Sequence, residues 1–497
     1  MFTREPDVPD SHGLVTFLSM KLCVMKLSSC LILSLCCSPV FARDLNVVFI
    51  LVDDWGVMDA GVQGSDFFET PVIDQFARES VRFTQAYAAS PVCSPTRAAI
   101  MTGKSPARLD MTIWHEGAVE GGPKNRRMLE ATAEPNLPRK EVTIAELFKR
   151  ENYYTAHIGK WHLGKAAWYP ETQGFDLNVG GTHWGAPVSF FYPYRGIWSK
   201  SDPELRYVPI GSGKDGDYLT DRLTDHAIDV IREHQDEPFF LSLCFHTVHS
   251  PIQGKPKHVR HFRNKAPGRV HGHAEYAAMV ASLDENVGRV LQVLEERDLA
   301  ENTVVILTSD NGGVDIPVRM SGDNPPTSNS PFRSGKGTLY EGGIRVPLII
   351  RWPGRTKAGA TCDELVTSQD FFPTLVEGLE LDAESSAEQD GVSLLPLLHA
   401  PSSELARRTL YWHYPHYYTR MTPGSAVRDG DWKLIHSYED SQVELFNLAT
   451  DPSETNDVSA HDRQRADALL AILNQWRAST NANEPVLNSD WREDTDN

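Results

Sequence analysis

A chain of 497 residues provides enough material for one large domain and a smaller one, and 40% hydrophobic with 23% charged residues is ordinary globular usage. This composition argues against a fibrous or disordered protein. The net charge of −19 argues against general attraction to nucleic acid or acidic membranes, so an anionic substrate needs a local positive pocket.

The first 42 residues have the pattern of a leader or signal peptide. A short basic region begins at Met25-Lys26, an apolar stretch covers residues 31–37, and residues 40–42 offer a small-residue cleavage site. The apolar stretch is too short to span a bilayer, so we expect no membrane span and export to the periplasm or the exterior. A lipid anchor on Cys36 or Cys37 is a less favoured alternative.

The number and positions of the cysteines predict little disulfide cross-linking. Four of the seven cysteines lie in the leader, which leaves Cys93, Cys244 and Cys362 and no disulfide framework. Cys244 lies in an apolar run and is typical of core filling. One bridge between Cys244 and Cys362 remains open.

The mature chain alternates between strand and helix patterns. Residues 45–51 form a near-continuous apolar run, typical of a strand buried on both faces, and Thr70-Pro71 begins a helix that runs to about residue 79. Further strands are predicted at 81–87, 155–158, 239–245, 303–309 and 346–351, and helices at 142–150, 218–233 and 275–297. This alternation predicts an α/β fold, a mostly parallel central sheet sandwiched by helices, with ligand sites beyond the carboxyl ends of the strands.

A Pro- and Ser-containing stretch at 394–404 separates a catalytic domain, residues 43–400, from a C-terminal subdomain, residues 401–497. Beyond it, short strands are predicted at 410–414, 425–428, 431–436 and 443–447, followed by a helix at 461–480. The second unit is therefore a small α+β subdomain.

Polar residues follow two of the buried strands. Asp53 and Asp54 come after the first strand, and Asp310 and Asn311 come after the strand at 303–309. Three carboxylates and an amide oxygen make a hard-oxygen site suited to Ca²⁺ or Mg²⁺ and unsuited to zinc or copper. Taken singly, either pair is equally consistent with a simple turn at a strand end.

One stretch, Pro91 to Lys104, has the features of an anion site. Pro91 and Pro95 fix an extended or turning backbone around Cys93, and the apolar run after Arg97 predicts a short helix. Cys93 would then lie where free N–H groups and a positive dipole end meet the guanidinium of Arg97. The alternative is a buried cysteine in a helix-start turn.

The pattern Cys93-x-Pro95-x-Arg97, with a following Thr-Gly-Lys, resembles the signature of the type I sulfatases of the alkaline phosphatase superfamily, which are similar to arylsulfatase A. In that family the cysteine is oxidised to Cα-formylglycine (3-oxoalanine). Thr96 stands where many members carry serine, but the positions read by the formylglycine-generating enzyme, the expected maturation partner, are intact. The resemblance assigns one Ca²⁺ to Asp53, Asp54, Asp310, Asn311 and an oxygen of modified Cys93.

The same resemblance picks out residues in the loops after other strands. Lys160 and His162 follow the strand at 155–158, His249 follows the strand at 239–245, and Lys336 lies in a glycine-rich loop. Considered alone, each of these residues is typical of a solvated loop. By the resemblance these four line the pocket, with His246 behind them.

The resemblance also implies a mechanism. A hydroxyl of hydrated formylglycine, polarised by Ca²⁺, attacks sulfur while Lys160, Lys336 and Arg97 hold the sulfate oxygens. His249 then protonates the departing alcohol. His162 takes the proton of the remaining hydroxyl, which expels sulfate and restores the aldehyde.

The resemblance covers roughly residues 45–355 with five motifs in order, and the C-terminal segment resembles the family's four-stranded antiparallel sheet with a helix. It implies hydrolysis of sulfate monoesters. Phosphonate monoester hydrolases and phosphodiesterases of the same superfamily share the fold and the Cys-x-Pro-x-Arg site, and form the alternative. A non-catalytic glycan-binding protein is less favoured, because no motif residue is lost.

Aromatic-rich loops provide candidate substrate contacts. Aromatic residues cluster at 411–418, in the 181–194 loop and at Trp114-His115, where they would stack on sugars or simply pack. The substrate-binding candidates are His183, Trp184, His413 and His416. Export and these loops favour exo-type desulfation of sulfated polysaccharide fragments over free aryl sulfates.

Overall fold

The computed structural model describes residues 45–200, 202–383, 388–406 and 409–492. The predicted leader, residues 1–42, lies outside the described residues. Across the described part of the chain, no helix combines the length and apolar character needed to cross a bilayer.

The strands are numbered in chain order. They are β1 Asn46–Val52, β2 Val81–Phe83, β3 Ala86–Tyr87, β4 Met128–Leu129, β5 Tyr154–Gly159, β6 Leu177–Val179, β7 Arg195–Ile197, β8 Leu205–Tyr207, β9 Phe239–Cys244, β10 Thr303–Ser309, β11 Leu348–Arg351, β12 Ala360–Cys362, β13 Val366–Thr367, β14 Thr409–Tyr414, β15 Gly424–Asp429, β16 Trp432–Ser437, β17 Val443–Asn447 and β18 Val486–Leu487.

The α-helices follow the same convention. They are α1 Pro71–Arg78, α2 Cys93–Thr102, α3 His115–Glu120, α4 Ile144–Arg150, α5 Leu219–Glu233, α6 Pro256–Arg263, α7 Ala274–Glu296, α8 Glu341–Ile344, α9 Phe371–Gly378, α10 Leu395–His399 and α11 Arg463–Thr480. Short 3₁₀ turns cover Gly61–Gln63, Ala166–Trp168, Pro170–Thr172, Ala300–Asn302 and Ser368–Asp370.

An eight-stranded sheet in the order β12-β2-β11-β10-β1-β9-β5-β6 forms the centre of the molecule. The run from β10 through β1, β9 and β5 to β6 is parallel, whereas β11 is antiparallel to both of its neighbours. The predicted mostly parallel sheet is therefore confirmed. The segment predicted as one strand at 81–87 instead forms β2 and β3, which belong to different sheets.

Helices cover both faces of this sheet, and β1 shows how. Alternate side chains point to opposite sides of a strand, so Val48 and Ile50 pack in one core with residues of α5 and α7, such as Leu283. Phe49 points the other way, into a core with residues of α2, α4 and α9, such as Phe148. Every residue of β1 is buried, which explains its continuous apolar sequence.

The C-terminal segment forms a four-stranded antiparallel sheet in the order β14-β15-β16-β17. One face packs on α11, where Val427 and Leu434 meet Leu469. The other face packs against the rest of the chain, where Trp412 meets Tyr87. The predicted sheet and helix are both present.

Candidate active site

The site begins where two neighbouring parallel strands end. Val52 of β1 lies in register with Ser309 of β10, so the residues that follow, Asp53-Asp54 and Asp310-Asn311, emerge at the same edge of the sheet. The backbone turns sharply at Asp54, which has φ = +59°, and its N–H donates to Asp310 Oδ1 at 3.3 Å. All four side chains are buried, which agrees with the predicted clustering of hard-oxygen groups at this edge.

Cys93 is the first residue of α2, preceded by Val92 in an extended conformation. Thr96 accepts a hydrogen bond from the N–H of Ser90 at 3.1 Å, which ties the loop to the first turn of the helix. The thiol lies 3.6 Å from Asp53 Oδ1 and 3.4 Å from Lys336 Nζ. Cys93 therefore lies at the base of the site, at the helix N-terminus that the sequence predicts.

The thiol itself is a poor nucleophile. Burial raises the pKa of Cys93 to about 12, and Lys160 and Lys336 offset that effect only in part. Because the thiolate is the reactive form, an unmodified Cys93 stays neutral and unreactive at neutral pH.

The three cations of the site each make their shortest ion pair with a different carboxylate. Lys160 Nζ lies 2.8 Å from both oxygens of Asp53, and Lys336 Nζ lies 2.6 Å from Asp54 Oδ1. Arg97 Nε donates to Asp310 Oδ2 at 2.9 Å. These pairings compensate charges that would be costly to bury alone.

The carboxylates differ in their acidity. Burial, together with the neighbouring Asp310 and Asp54, raises the pKa of Asp53 to about 8, although Lys160 opposes the shift. Burial acts on Asp54 in the same direction, but Lys336 and other cations outweigh it and hold the pKa of Asp54 below its usual range. Crowded carboxylates of this kind would be stabilised by a further cation.

The geometry fits a hard divalent cation. Ligand atoms of Asp53, Asp54, Cys93 and His249 all lie within 4.8 Å of one another. Asn311 Oδ1 is buried and has no hydrogen-bond partner among the described residues, although its Nδ2 donates to Asp54 Oδ1 at 2.8 Å. An amide oxygen left free beside carboxylates is the type of ligand that Ca²⁺ takes.

His162 is held by a carboxylate on α3. Its Nε2 lies 2.7 Å from Glu116 Oε2, while Glu116 Oε1 accepts the N–H of Gly185 at 3.1 Å. A side chain at position 185 would place its Cβ 2.4 Å from the His162 ring, so only glycine fits there. Burial lowers the pKa of His162 to about 4, although Glu116 opposes the shift. The imidazole is therefore neutral at neutral pH and suited to accept a proton.

His249 lies on the opposite side of Asp54 from Asn311. Its Nδ1 donates to the carbonyl of Ser250 at 2.8 Å, and its Nε2 lies 3.5 Å from Asp54 Oδ2. Burial lowers the pKa of His249 to about 3, with Asp54 opposing the shift. His246 is also buried, and burial holds its pKa well below the usual value.

A cavity of about 680 Å³ opens above these groups. Its lining includes Cys93, His162, His249 and Lys336 from the predicted set. Arg97, Lys160 and the aspartates lie beneath them, through the contacts given above. The structure thus brings together all the residues that the sequence assigned to catalysis and metal binding.

The four predicted substrate contacts do not reach this cavity. His413 bonds Ser425 at 2.8 Å within the C-terminal sheet, and both ring nitrogens of His416 are engaged, by Thr112 at 2.8 Å and Glu130 at 2.9 Å. His183 contacts the hydroxyl of Tyr169 at 3.1 Å, and Trp184 is buried against Arg206. His413 and His416 thus use both ring nitrogens within the fold, which agrees with the packing interpretation of the cluster at 411–418, whereas the buried Trp184 Nε1 has no hydrogen-bond partner among the described residues.

Sequence reasoning missed several residues that do line the cavity. They are Glu116, Glu120, Trp198, Asp202 and Arg206. Trp114 and Tyr418, which also line it, belong to the aromatic clusters that the sequence offers as sugar-stacking candidates. Arg206 lies on β8 of a small hairpin, and no pattern in the sequence signals its position.

The three cysteines of the mature chain are unpaired. Cys93, Cys244 and Cys362 are all buried free thiols, so the bridge left open between Cys244 and Cys362 is not formed.

Strand-end aspartates, a cysteine at a helix N-terminus and paired cations agree with the site that the resemblance to the sulfatases implies. Comparison with models of protein families identifies the family of this chain. The model described as Sulfatase matches residues 45–380, and the model described as N-sulphoglucosamine sulphohydrolase, C-terminal, matches residues 334–478. The chain belongs to the sulfatase family and is a sulfuric ester hydrolase.

Named relatives support this assignment along most of the chain. A protein named Sulfatase from Formosa agariphila is 31% identical, covering 87% of this chain and 88% of the relative. N-acetylgalactosamine-6-sulfatase from Mus musculus is 30% identical, covering 89% of this chain and 88% of the relative.

Two solved structures have a fold similar to that of this chain. The crystal structure of Ps i-CgsB in complex with k-i-k-neocarrahexaose is 26% identical with a TM-score of 0.72, covering 91% of this chain and 96% of that chain. Phosphonate monoester hydrolase of Agrobacterium radiobacter is 20% identical with a TM-score of 0.65, covering 88% and 96%, and shares the fold.

Proposed function

We propose that the chain removes sulfate from sulfated carbohydrates, acting on a terminal sugar, with formylglycine at position 93 and one Ca²⁺. The observation that carries the proposal is the position of Cys93. It is buried at the start of α2, 3.4 Å from Lys336 and 3.6 Å from Asp53, at the floor of a cavity with His162 and His249 in its wall.

The residues that would hold the calcium ion are Asp53, Asp54, Asp310, Asn311 and the modified side chain of position 93. When bound, the ion supplies positive charge that stabilises the anionic transition state and favours ionisation of the nucleophile. Formylglycine supplies, on hydration, a hydroxyl nucleophile that no unmodified side chain here offers.

The chain's own cations hold the sulfate. Lys336 lies at the floor of the cavity and Lys160 and Arg97 lie beneath it, where the three would donate to the sulfate oxygens that do not take part in bond making or breaking. Each is already fixed by one carboxylate, so little reorganisation is needed when the ester binds.

The two histidines move the protons. His249 would protonate the leaving oxygen; the negative charge of a bound sulfate ester would raise its pKa from the low value that burial imposes. His162 is neutral and held by Glu116, and would take the proton whose removal releases sulfate.

The carbohydrate assignment is supported by the cavity and the relatives. A volume of about 680 Å³ is in the range of sites for small molecules, and Trp114, Trp198 and Tyr418 give it aromatic walls. Relatives named for a sulfated amino sugar and a structure with a bound neocarrahexaose support a sugar ester. A pocket of this size suits a chain end better than the middle of a polymer.

Maturation and location follow from the same proposal. The Cys93-x-Pro95-x-Arg97 sequence would be the substrate of a formylglycine-generating enzyme, and the leader pattern of residues 1–42 supports export to the periplasm or the exterior.

The test keeps the leaving alcohol of the ester constant and varies the acid to which it is joined. Matched aryl sulfate, phosphate and phosphonate esters are assayed with protein made alongside a formylglycine-generating enzyme. Sulfate monoesters carry one negative charge and phosphate monoesters nearly two, so we expect the highest kcat/KM on the sulfate. A higher value on the phosphonate would favour the phosphonate hydrolase alternative. Glycan binding without turnover of any ester would favour the non-catalytic one.

A further inference from the structure

The cavity has two parts of different charge. Its floor carries Cys93, Lys336, His162 and His249, which face the sulfate in the proposed function. Its outer part, called here the leaving-group wall, is formed by Trp114, Glu116, Glu120, Trp198, Asp202 and Arg206. Because the ester oxygen joins the two parts, this wall meets the alcohol that remains after sulfate is removed.

Arg206 is the one cation of the leaving-group wall among the described residues, and its charge is already balanced. One of its terminal nitrogens lies 2.6 Å from Asp202 Oδ2, and the other lies 3.5 Å from Glu116 Oε1. Its Nε has no hydrogen-bond partner but is buried, so a ligand in the cavity does not reach it. The positive charge of the guanidinium is therefore offset by two carboxylates before a second anion could bind.

Stacking holds Arg206 in this position. Its guanidinium carbon lies 4.7 Å from the ring centre of Trp184 and 5.1 Å from that of Trp198. Rings on which a guanidinium rests limit its freedom to swing toward a ligand. The side chain is only 12% exposed.

The carboxylates outnumber this one cation. Glu116, Glu120 and Asp202 give the wall three negative charges against the single positive charge of Arg206. The hydrogen bonds from His162 and Gly185 keep Glu116 as an acceptor. The wall thus has an excess of negative charge, beside aromatic faces that suit a neutral sugar ring.

We propose that the leaving-group wall selects sulfate esters whose alcohol is uncharged or bears an amine, and rejects esters with a second sulfate or a carboxylate near the reacting bond. This inference rests on the proposed function and specifies its substrate class. Among sugars, the selected substrates are monosulfated residues that are neutral or carry a free amine.

The test uses aryl sulfates that differ only in charge. Three phenyl sulfates carry a meta aminoethyl, hydroxyethyl or carboxyethyl group; the two methylenes insulate the phenolic oxygen, so leaving-group acidity is nearly constant. We expect kcat/KM to fall from the ammonium to the alcohol to the carboxylate by about three- to tenfold at each step, and the spread to shrink as salt is added.

Charge-neutralising variants distinguish an effect of the leaving-group wall from an effect of the net charge of the whole chain. Asp202→Asn and Glu120→Gln should each reduce the ratio of ammonium to carboxylate kcat/KM by about threefold or more, with the larger effect at Asp202 because it also frees Arg206. Glu296→Gln, on an exposed position at the end of α7, changes the net charge equally and should leave the ratio unchanged. Glu120 is exposed, so its replacement does not threaten folding.

The outcomes distinguish this inference from the proposed function. Turnover of the hydroxyethyl ester with no charge preference, or with preference for the carboxyethyl ester, would overturn the inference and keep the sulfatase. Equal effects of Glu120→Gln and Glu296→Gln would also overturn it, because the preference would then belong to the whole chain. No hydrolysis of any probe by protein shown to carry formylglycine would overturn both.

Discussion

His162 is buried and His249 is partly buried, and both rings are neutral, yet they have different partners. His162 lies 2.7 Å from the carboxylate of Glu116, which stabilises the protonated ring once it has accepted a proton. His249 donates its Nδ1 hydrogen to a backbone carbonyl and directs Nε2 toward Asp54 and the cavity. The carboxylate partner fits the proposed base role of His162, and the direction of Nε2 fits the proposed acid role of His249, which requires the ring to be protonated when substrate binds.

Leaving-group dependence tests these roles. His249→Ala should lower kcat/KM by about 10²–10⁴-fold on a sugar sulfate, whose alkoxide leaves poorly, but much less on an activated nitrophenyl sulfate. His162→Ala should slow both substrates alike, because release of sulfate no longer involves the leaving alcohol. Steady-state rates on the two substrates measure the contrast. An equal loss on both substrates in His249→Ala would refute the assignment.

At the residue scale, sequence patterns predicted the carboxylates of the site, because Asp53 and Asp310 come directly after apolar runs and parallel strands bring such positions to one edge. Lys160, His162, His249 and Lys336 were instead assigned by the resemblance to the sulfatases, because a single lysine or histidine in a loop carries no pattern of its own. His413 and His416 could not be judged in this way. Their environment depends on Ser425 and Thr112, which contact them only in the folded molecule.

At the scale of elements, the helix α3 connects the chemistry to the cavity wall. Its Glu116 reaches His162 after β5 and Arg206 on β8, so three elements distant in sequence meet at one carboxylate. A helix of six residues with no distinctive motif gives no sequence signal for this role.

The pH dependence of kcat in a Glu116→Gln variant tests the function of this carboxylate. Glu116→Gln should lower kcat at neutral pH by about tenfold or more, because the protonated His162 loses its stabilising partner. Glu116 raises the pKa of His162 against burial, so its removal should lower that pKa further. Activity needs the neutral ring and falls as pH drops through its pKa, so the acid limb of the profile should move to lower pH.

Damage that is only structural would reduce the rate of Glu116→Gln without moving the acid limb. A limb that stays in place, measured on kcat from pH 3 to 7 with Glu296→Gln as control, would therefore contradict a role in tuning His162.

The element boundaries show which strands can be predicted from sequence patterns and which cannot. Continuous apolar runs gave β1, β9 and β10 correctly, since strands buried on both faces need such residues. The run at 81–87 failed because Thr84 and Gln85 interrupt it and the chain changes sheets there. Pattern alone does not reveal such a change of partner.

At the scale of the whole molecule, a buried ionic cluster joins the C-terminal sheet to the rest of the chain. Lys433 on β16 is fully buried, with Nζ 3.0 Å from Glu341 and 2.8 Å from Glu454. Burial raises the pKa of Glu454 to about 7, although Lys433 opposes the shift. The cation thus offsets two buried carboxylates from distant parts of the sequence.

Lys433→Met should therefore destabilise the protein by about 3–5 kcal/mol, because it removes the buried cation beside Glu454 and leaves Glu341 with only the more distant Arg345 and Arg428. The exposed pair of Lys257 with Glu285 provides the matched control, and Lys257→Met should cost less than about 1 kcal/mol. Urea unfolding measures both. A cost at Lys433 no larger than at Lys257 would show that the cluster does not stabilise the union of the two sheets.

The central claim is that position 93 acts as formylglycine. Its most direct test is peptide mass spectrometry of the segment around Arg97, on protein produced with and without a formylglycine-generating enzyme, together with sulfatase activity of the same samples. The account predicts the aldehyde at position 93 in the active sample, and activity proportional to the modified fraction. Full activity in protein whose Cys93 is entirely unmodified would contradict it.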